Sequence, residues 1–428
     1  MRICIVAEHA SRQFGGEAFL PVHYFSLLRV RGIESWLVVH SRTRGELTEL
    51  FPLDLDRIRF VPDLWIHKLV FKLSRFLPTR VSVPTLGLLN QLITQFYQRG
   101  IVRKLIRENQ IDVIHQPIPV ASRFPSLLFG LHVPVVIGPL NGGMEYPAAF
   151  RLTEPRMIRA AIAVARLFVN VANSILPGKK NADVVLVANE RTRRALPSGI
   201  RGSVIELVEN GIDTGVWQAA PWNAEDKAIR FVFIGRLVDW KALDIVIRAL
   251  EKVPSAELEI VGDGPMLEAW RLLANELGVK DRVHFLGWMT QQQCAARVQS
   301  AIALVLPSLY ECGGAVVLEA MAMGRPVIAT RWGGPADYLD ASCGILIEPE
   351  SYSSLVAGFT EAMQKLIDSP ELVKSMGEAG RDRAISHFDW QRKIDRVIGI
   401  YSGLLKKAGV PVEFTEGRAP LATISEQH

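Results

Sequence analysis

The stretch that decides the fold of this chain, residues 301–322, reads AIALVLPSLYECGGAVVLEAMA. An apolar run ends at Pro307, a short polar loop carries Glu311, and Gly313 and Gly314 open a helical pattern. A buried strand that passes through a glycine turn into a helix is typical of a parallel α/β sheet. We therefore expect an α/β protein.

The same turn predicts a ligand site. Glycines let backbone approach a ligand closely, and the free amides at a helix start favour an anion such as a diphosphate. Glu311 and Glu319 bracket this turn, and both are acceptors suited to sugar and ribose hydroxyls. The alternative is that Glu311 is a solvated loop acid and Glu319 an ordinary helix charge. The residues of this region that we predict to contact the ligand are Glu311, Cys312, Gly313, Gly314, Ala315, Val316 and Glu319.

A second strand end, after Phe231-Val232-Phe233-Ile234, supplies cations. Gly235 ends the strand, and Arg236 and Lys241 follow five residues apart. Each charge-assisted hydrogen bond from such a cation to a phosphate is worth roughly 1.5–3 kcal/mol. Both cations would also stabilise a leaving diphosphate as its charge grows in the transition state. The alternative is two surface cations at a domain boundary.

Two further strand-end turns follow on the same expected rim. They contain Gly262 and the pair Trp288-Met289. Glycine turns are individually weak signals. In this order they predict a base-binding edge, with the backbone around Trp288 and Met289 reading the nucleobase.

Short apolar runs and helical patterns alternate along the whole chain, which predicts parallel sheets with helices on both faces. At 428 residues the chain exceeds what one core usually fills, so we expect two domains. The alternation of strands and helices stops near Glu209–Asp213, and residues 214–228 are predicted to connect the two domains. The predicted domains are 1–213 and 214–388, followed by a helix at 389–408 and a loose tail at 409–428. The strands expected in them are Ile3–Ala7, Ser35–His40, Val113–His115, Val135–Gly138, Val184–Asn189, Arg230–Gly235, Glu257–Gly262, Val283–Leu286, Ala301–Pro307 and Pro326–Thr330.

The first domain carries its own strand-end groups. His115 ends one expected strand, where a purely structural histidine is the alternative to a catalytic one. The glycine turn after the first strand offers free amides, although it lacks the spacing of the dinucleotide fingerprint. We predict contacts from Gly15, Gly16 and His115, with Glu17, Asn141 and Gly142 on the acceptor side.

Composition narrows the class of protein. Apolar residues make up 49% and charged residues 22%, which argues against disorder and coiled coil. The start of the chain lacks a signal-peptide core, no uncharged stretch of about 18 apolar residues exists, and four scattered cysteines suggest reduced thiols. We therefore expect a cytoplasmic protein, with the inner face of the membrane as the alternative position.

Taken in order, these motifs resemble those of the retaining glycosyltransferases of family four, which have the two-domain GT-B fold. The resemblance covers nearly the whole chain and is most specific at Glu311-x7-Glu319. It implies two Rossmann-like domains that face each other across a cleft and a last helix that crosses back to the first domain. Where family members often have Gly-Phe-Gly, this chain has Cys312-Gly313-Gly314, which leaves the sugar contacts beyond Glu311 open.

The resemblance also implies roles. Arg236 and Lys241 would bind the phosphates of the donor, and Gly16 would contact them from the other domain. Glu311 and His115 would contact the donor sugar, with His115 near the reacting carbon. Glu319 would contact the ribose. Neither a metal nor another cofactor is expected, and the donor is a nucleotide diphosphate sugar of UDP or GDP type. Asp54-Leu55-Asp56 has the form of a metal-binding motif of the other glycosyltransferase fold, and we interpret it as coincidence.

We thus expect transfer of a hexose, with retention, to a saccharide or lipid-linked saccharide in surface polysaccharide or glycoconjugate synthesis. Segment 62–80 mixes aromatic and basic residues and predicts either peripheral membrane contact or an acceptor loop. The apolar segment 156–176 is either a similar surface or a core helix. Nucleic acid is disfavoured because no groove motif accompanies the basic residues. The alternatives are a sugar-nucleotide epimerase of the same fold and a non-catalytic sugar-nucleotide-binding partner.

Overall fold

Two separate parallel sheets organise the chain in the computed structural model, which describes residues 1–13, 16–74, 76, 83–153, 171–219 and 229–409. The chain divides into two compact units. The first comprises Met1–Gly143, Pro155–Glu209 and Lys393–His428, and the second Met144–Glu154 and Asn210–Arg392.

The sheet of the first unit has the order β3-β2-β1-β4-β5-β6-β7, and every neighbouring pair is parallel. Its strands are β1 (Arg2–Val6), β2 (Glu34–His40), β3 (Ile58–Val61), β4 (Val113–Gln116), β5 (Val135–Leu140), β6 (Val184–Val187) and β7 (Ser203–Glu206). Strands β3 and β7 were not among the strands predicted from the sequence. Both are edge strands of four residues with partly exposed side chains, so neither shows the apolar run of a buried strand.

Helices surround this sheet. They are α1 (Phe19–Val30), α2 (Arg44–Leu50), α3 (Trp65–Ser74), α4 (Leu88–Asn109) and α5 (Glu190–Arg194), with short 3-10 helices at Gly16–Ala18, Ser41–Thr43 and Leu55–Arg57. Among the described residues, no helix has the length and hydropathy needed to span a bilayer.

The sheet of the second unit has the order β10-β9-β8-β11-β12-β13 and is likewise parallel throughout. Its strands are β8 (Ile229–Ile234), β9 (Ala256–Val261), β10 (Val283–Gly287), β11 (Ala303–Leu306), β12 (Val327–Thr330) and β13 (Gly344–Ile347). The missed strand is again an edge strand, β13. The central strands β8 and β11 are apolar and mostly buried because helices cover both faces.

The helices of the second unit follow its strands in turn. They are α6 (Asp244–Glu251), α7 (Leu267–Glu276), α8 (Gln291–Ser300), α9 (Ala315–Ala322), α10 (Gly334–Tyr338), α11 (Tyr352–Asp368) and α12 (Pro370–Phe388). Helix α13 (Trp390–Lys407) is the last helix of the described residues, and from Lys393 onward it belongs to the first unit.

Each sheet reverses its strand order at one point, between β1 and β4 in the first unit and between β8 and β11 in the second. In open α/β sheets, ligands collect outside the carboxyl ends of the strands at such a point. Gly235 directly follows β8, and the loop with Glu311 follows β11. The topology therefore brings the two strongest sequence motifs to one place in the second unit.

Candidate functional site

The centre of this site is an ion pair between Lys241 and Glu311. The ammonium of Lys241, at the end of the 3-10 helix Asp239–Lys241, contacts Oε2 of Glu311. Each side chain is 14% exposed, so the pair is shielded but still open to a ligand. Ser308 also donates its hydroxyl to Oε2 of Glu311 at 3.4 Å. The two motifs that lie 70 residues apart in the sequence therefore meet through their side chains.

Backbone contacts hold the cation loop against the neighbouring turn. The amide of Gly235 donates to Val261 O at 3.0 Å, and the amide of Leu237 donates to Asp263 O at 2.9 Å. Gly262 has φ +131°, and a Cβ atom there would overlap the carbonyl oxygen of Gly235. Only glycine fits this approach. The predicted residue Gly262 thus lies beside Gly235 and shapes the loop that leads to Lys241.

The glycine turn at the start of α9 adopts the conformation that its sequence requires. Gly314 has φ +80° and is the N-cap of α9, so the amides of Ala315 and Val316 lie in its first turn. A Cβ atom on Gly314 would lie 3.1 Å from Cγ of Glu311. Gly313 is buried, and Cys312 is half-buried next to Glu311. This turn can accept an anion beside the Lys241–Glu311 pair.

Glu319 lies on α9 and is half-buried. Burial raises the pKa of its carboxyl to about 7. Among the residues that the structure describes, its side chain has neither a hydrogen-bond partner nor an ion-pair partner. A shielded carboxylate without a protein donor gains from a ligand hydroxyl, since its charge is poorly solvated.

The remaining predicted donor contacts are open to solvent. Arg236 is exposed, and its guanidinium makes no hydrogen bond or ion pair within the described parts of the chain. Trp288 follows β10 and is 69% exposed, while Met289 is half-buried. An exposed tryptophan beside a strand end can stack on a planar base.

In the first unit, the glycine turn after β1 is described only from Gly16, since Gly15 lies outside the described residues. Gly16 is exposed with φ +53°, and no heavy atom lies within 4 Å of the position of a Cβ. Glu17 is directed inward, where its Oε2 accepts from the amide of Val120 at 3.1 Å. Burial raises the pKa of the Glu17 carboxyl.

His115, predicted to touch the donor sugar, lies in the core of the first unit and is fully buried. Its Nε2 lies 2.6 Å from the carbonyl oxygen of Gly138, which can only accept, so Nε2 carries the proton. Nδ1 lies 2.6 Å from the hydroxyl of Tyr401 and accepts from it. Burial lowers the pKa of His115 to about 4, so the ring is neutral. Contact of either ring nitrogen with a sugar would require one of these hydrogen bonds to break.

The predicted acceptor residues Asn141 and Gly142 also make internal contacts in the first unit. Asn141 is buried and donates through Nδ2 to Glu209 at 2.7 Å. The amide of Gly142 donates to Thr192 Oγ1 at 3.1 Å. Glu209 is a buried acid that was not predicted as a site residue, and its only sequence signal is its place before the predicted domain crossing.

Three groups of metal-ligand type, His40, Asp63 and His67, meet in the first unit within 4.8 Å of one another. Nδ1 of His40 accepts from the amide of Arg42, and Nδ1 of His67 accepts from the amide of Leu64. Each neutral ring therefore carries its proton on Nε2, the atom that would have to lose it to bind a metal. This is a buried imidazole pair, and it is not arranged for a metal.

The structure also describes the Asp54-Leu55-Asp56 motif and part of the two segments that the sequence marked as apolar surfaces. Asp54 of the Asp54-Leu55-Asp56 motif pairs with Arg29 at 2.8 Å, a structural contact. Helix α3 exposes large apolar side chains next to Lys68 and Lys72; these are Trp65, Leu69, Phe71 and Leu73, with Phe76 following. Of the second apolar segment, 156–176, residues 156–170 lie outside the described residues.

Comparisons with known proteins agree with this architecture. Residues 218–383 match the model of the family described as glycosyl transferases group 1. A GDP-mannose-dependent alpha-(1-6)-phosphatidylinositol monomannoside mannosyltransferase of Mycolicibacterium smegmatis is 31% identical over 245 residues, which cover 52% of this chain and 63% of that protein. The chain thus spans less than two thirds of this relative's length.

Solved structures match over almost the whole chain. Sucrose-phosphate synthase from Thermosynechococcus elongatus has a TM-score of 0.65 at 19% identity, with 95% of this chain and 99% of that chain covered. Anabaena HepE in complex with UDP-glucose has a TM-score of 0.61 at 16% identity, with 94% and 100% covered. At such identities the likeness shows the fold alone. Residues 218–383 are thus similar to the glycosyl transferases group 1, and the chain, with its two parallel, Rossmann-like sheets, has the GT-B fold.

Proposed function

We propose that the protein is a retaining, metal-independent hexosyltransferase that uses a nucleotide diphosphate sugar of UDP or GDP type. The observation that carries this proposal is the shielded Lys241–Glu311 pair at the carboxyl ends of β8 and β11. A pair of this kind supplies one group for phosphate and one for sugar hydroxyls in the same place.

We expect the bound donor to replace the ion pair between Lys241 and Glu311 with contacts of its own. A diphosphate carries more charge than one carboxylate, so it would draw the ammonium of Lys241 away from Glu311. The freed oxygens of Glu311 can then accept from hydroxyls of the sugar. Arg236, exposed and without a described partner, is the second cation for the phosphates. Glu319 accepts from the ribose, and Gly314 at the start of α9 places free amides toward the anion.

In the proposed reaction, the bond between the anomeric carbon and the phosphate oxygen breaks as a bond to the acceptor oxygen forms on the same face. The proton of the acceptor hydroxyl moves to the departing phosphate, and the nucleoside diphosphate leaves. Lys241 and Arg236 stabilise the charge that grows on the phosphate, the task that a metal ion performs in other enzymes. The sequence pattern singles out no carboxylate nucleophile, and neither does the geometry of the residues that the structure describes, which is why we favour front-face attack.

Two relatives support the donor class. By its name the mycobacterial relative uses GDP-mannose, and HepE was solved with UDP-glucose. Both ligands are nucleotide diphosphate hexoses, the class that we propose for the donor.

For the acceptor we propose a saccharide or lipid-linked saccharide, met at the inner face of the membrane. The α3 surface, formed by Trp65, Leu69, Phe71, Leu73 and Phe76, supports this proposal. Trp65 is 73% and Phe76 79% exposed, although large aromatic side chains are usually buried. Lys68 and Lys72 are exposed beside them, and each lysine near an anionic bilayer contributes about 1 kcal/mol. An apolar face with flanking cations fits an anionic lipid surface.

The test is a thermal-shift and product assay with UDP-, GDP- and ADP-sugars, with and without saccharide acceptors. We expect one nucleotide series to stabilise the wild type and Glu319→Ala to lose that stabilisation. Formation of an epimer from donor alone would favour the epimerase, and binding without turnover over a broad acceptor panel would favour a non-catalytic binding partner. No stabilisation by any nucleotide would refute the proposed function.

A further inference from the structure

Residues 144–153, here called the arm, belong to the second unit although the chain on either side belongs to the first. The arm is internally folded. The amide of Phe150 donates to Pro147 O at 2.8 Å, and Phe150 is buried. Arg151 donates through Nε to Tyr146 O at 3.0 Å. The arm is thus an ordered part of the unit that carries Glu311.

The arm is fastened to the turn after β12. Trp332 donates through Nε1 to the carbonyl oxygen of Glu145 at 2.7 Å. Met144 is 5% exposed, and its Cε lies 2.7 Å from where a Cβ on Gly333 would be. Gly333 has φ +66°, so both conformation and space require glycine there.

The turn at residues 332–334 also contacts the backbone of Glu311. The amide of Gly334 donates to the carbonyl oxygen of Glu311 at 2.9 Å. A Cβ on Gly333 would also overlap this oxygen, and a Cβ on Gly334 would overlap the carbonyl of Gly313. The turn therefore packs so closely on the loop that neither glycine has room for a side chain.

A second contact reaches the same loop directly. The ring of Tyr146, in the arm, lies 5.4 Å from the ring of Tyr310, the residue before Glu311. Aromatic pairs at this separation contribute about 0.5–1.5 kcal/mol beyond their buried area. The arm thus meets the Glu311 loop both through the 332–334 turn and through Tyr310.

We propose that the arm positions Glu311 for the donor sugar, with Trp332 and Tyr146 as its positioning residues. This inference rests on the proposed function. No contact described for the arm involves Arg236 or Lys241, the predicted phosphate grip. Loosening the arm should therefore weaken recognition of the sugar and leave recognition of the nucleoside diphosphate intact.

The experiment compares two affinities by isothermal titration: the nucleoside diphosphate alone, and the nucleotide sugar that stabilises the wild type. Trp332→Phe removes the N–H donor, and Tyr146→Ala removes the ring. Each should weaken binding of the nucleotide sugar about tenfold and change binding of the nucleoside diphosphate less than about twofold.

Two matched variants control for general damage. Ala149→Ser changes an exposed position of the arm, and Arg331→Ala removes an exposed side chain next to Trp332 whose ion-pair partner, Glu348, lies outside the arm, so both should bind like the wild type. Equal weakening of both ligands, or no change in either, would overturn the positioning role while nucleotide binding by the wild type still stood. If the wild type binds no nucleotide, the proposed function fails and this inference fails with it.

Discussion

The hydroxyl of Tyr401 on α13 donates to Nδ1 of His115 on β4, with 2.6 Å between the two atoms. The ring of Tyr24 packs edge-on against the same imidazole, 4.7 Å away. This buried contact fastens α13 to the sheet of the first unit. It explains why a histidine at a strand end, in a position expected to be catalytic, is fully buried.

The first prediction concerns this contact. Tyr401→Phe should lower the free energy of unfolding by about 1–3 kcal/mol, because Nδ1 of His115 then has no donor in a buried place. Urea denaturation measures the change. Ser402→Ala, at the neighbouring and less buried position, should stay within about 0.5 kcal/mol of the wild type. An unchanged midpoint for Tyr401→Phe would mean that the bond does not hold the helix.

The second prediction tests the phosphate grip. Lys241→Met keeps the length of the side chain but removes its charge, so it should lower kcat about 100- to 1,000-fold by withdrawing a cation from the developing phosphate charge. Steady-state kinetics with the identified donor measures this. Lys252→Ala, an exposed lysine after α6, serves as the control. A kcat for Lys241→Met within a few-fold of the wild type would exclude Lys241 from the transition state.

The third prediction concerns pH. The carboxyl of Glu319 has a pKa raised to about 7 by burial, and ribose hydroxyls donate best to its ionised form. Donor binding should therefore favour loss of a proton, and affinity should rise as the pH is raised from about 6 to about 8. Calorimetry in two buffers of different ionisation enthalpy reports the released proton. Glu319→Gln should abolish this pH dependence; if the dependence persists in the variant, another group is its source.

The fourth prediction tests the α3 surface. The wild type should sediment with vesicles that contain phosphatidylglycerol and less with vesicles of phosphatidylcholine alone, because Lys68 and Lys72 add an electrostatic term. The double variant Phe71→Ser, Phe76→Ser should bind at least about tenfold more weakly, since burial of each ring contributes about 1.5–3 kcal/mol.

The control for this surface is Leu272→Ser, which removes another exposed apolar side chain, on α7. It should bind vesicles like the wild type. If the double variant also binds like the wild type, the exposed aromatic residues serve another purpose, such as an acceptor loop.

The fifth prediction concerns backbone space. Gly262→Ala would force a Cβ into the carbonyl oxygen of Gly235 at a φ of +131°. The loop before Arg236 must then shift, so we expect both nucleoside diphosphate and nucleotide sugar to bind at least about tenfold more weakly. Gly45→Ala, where nothing lies within 4 Å, should bind normally. Normal binding by Gly262→Ala would show that the loop tolerates the shift.

The sequence by itself determined the alternation of strands and helices and the glycine turns that follow the strands of the second unit. Buried parallel strands are continuous apolar runs, and glycines with positive φ mark tight turns, so both leave local signals. The edge strands β3, β7 and β13 were missed because a partly exposed strand has no such run.

Only the tertiary structure decided which long-range partners meet. Lys241 and Glu311 are 70 residues apart, Tyr401 and His115 are 286 apart, and Trp332 reaches Glu145 across 187 residues. A histidine at a strand end has the same local sequence whether its ring faces a ligand or a buried tyrosine. The environment of the histidine ring depends on helices that are distant in the sequence, and the local sequence pattern cannot predict them.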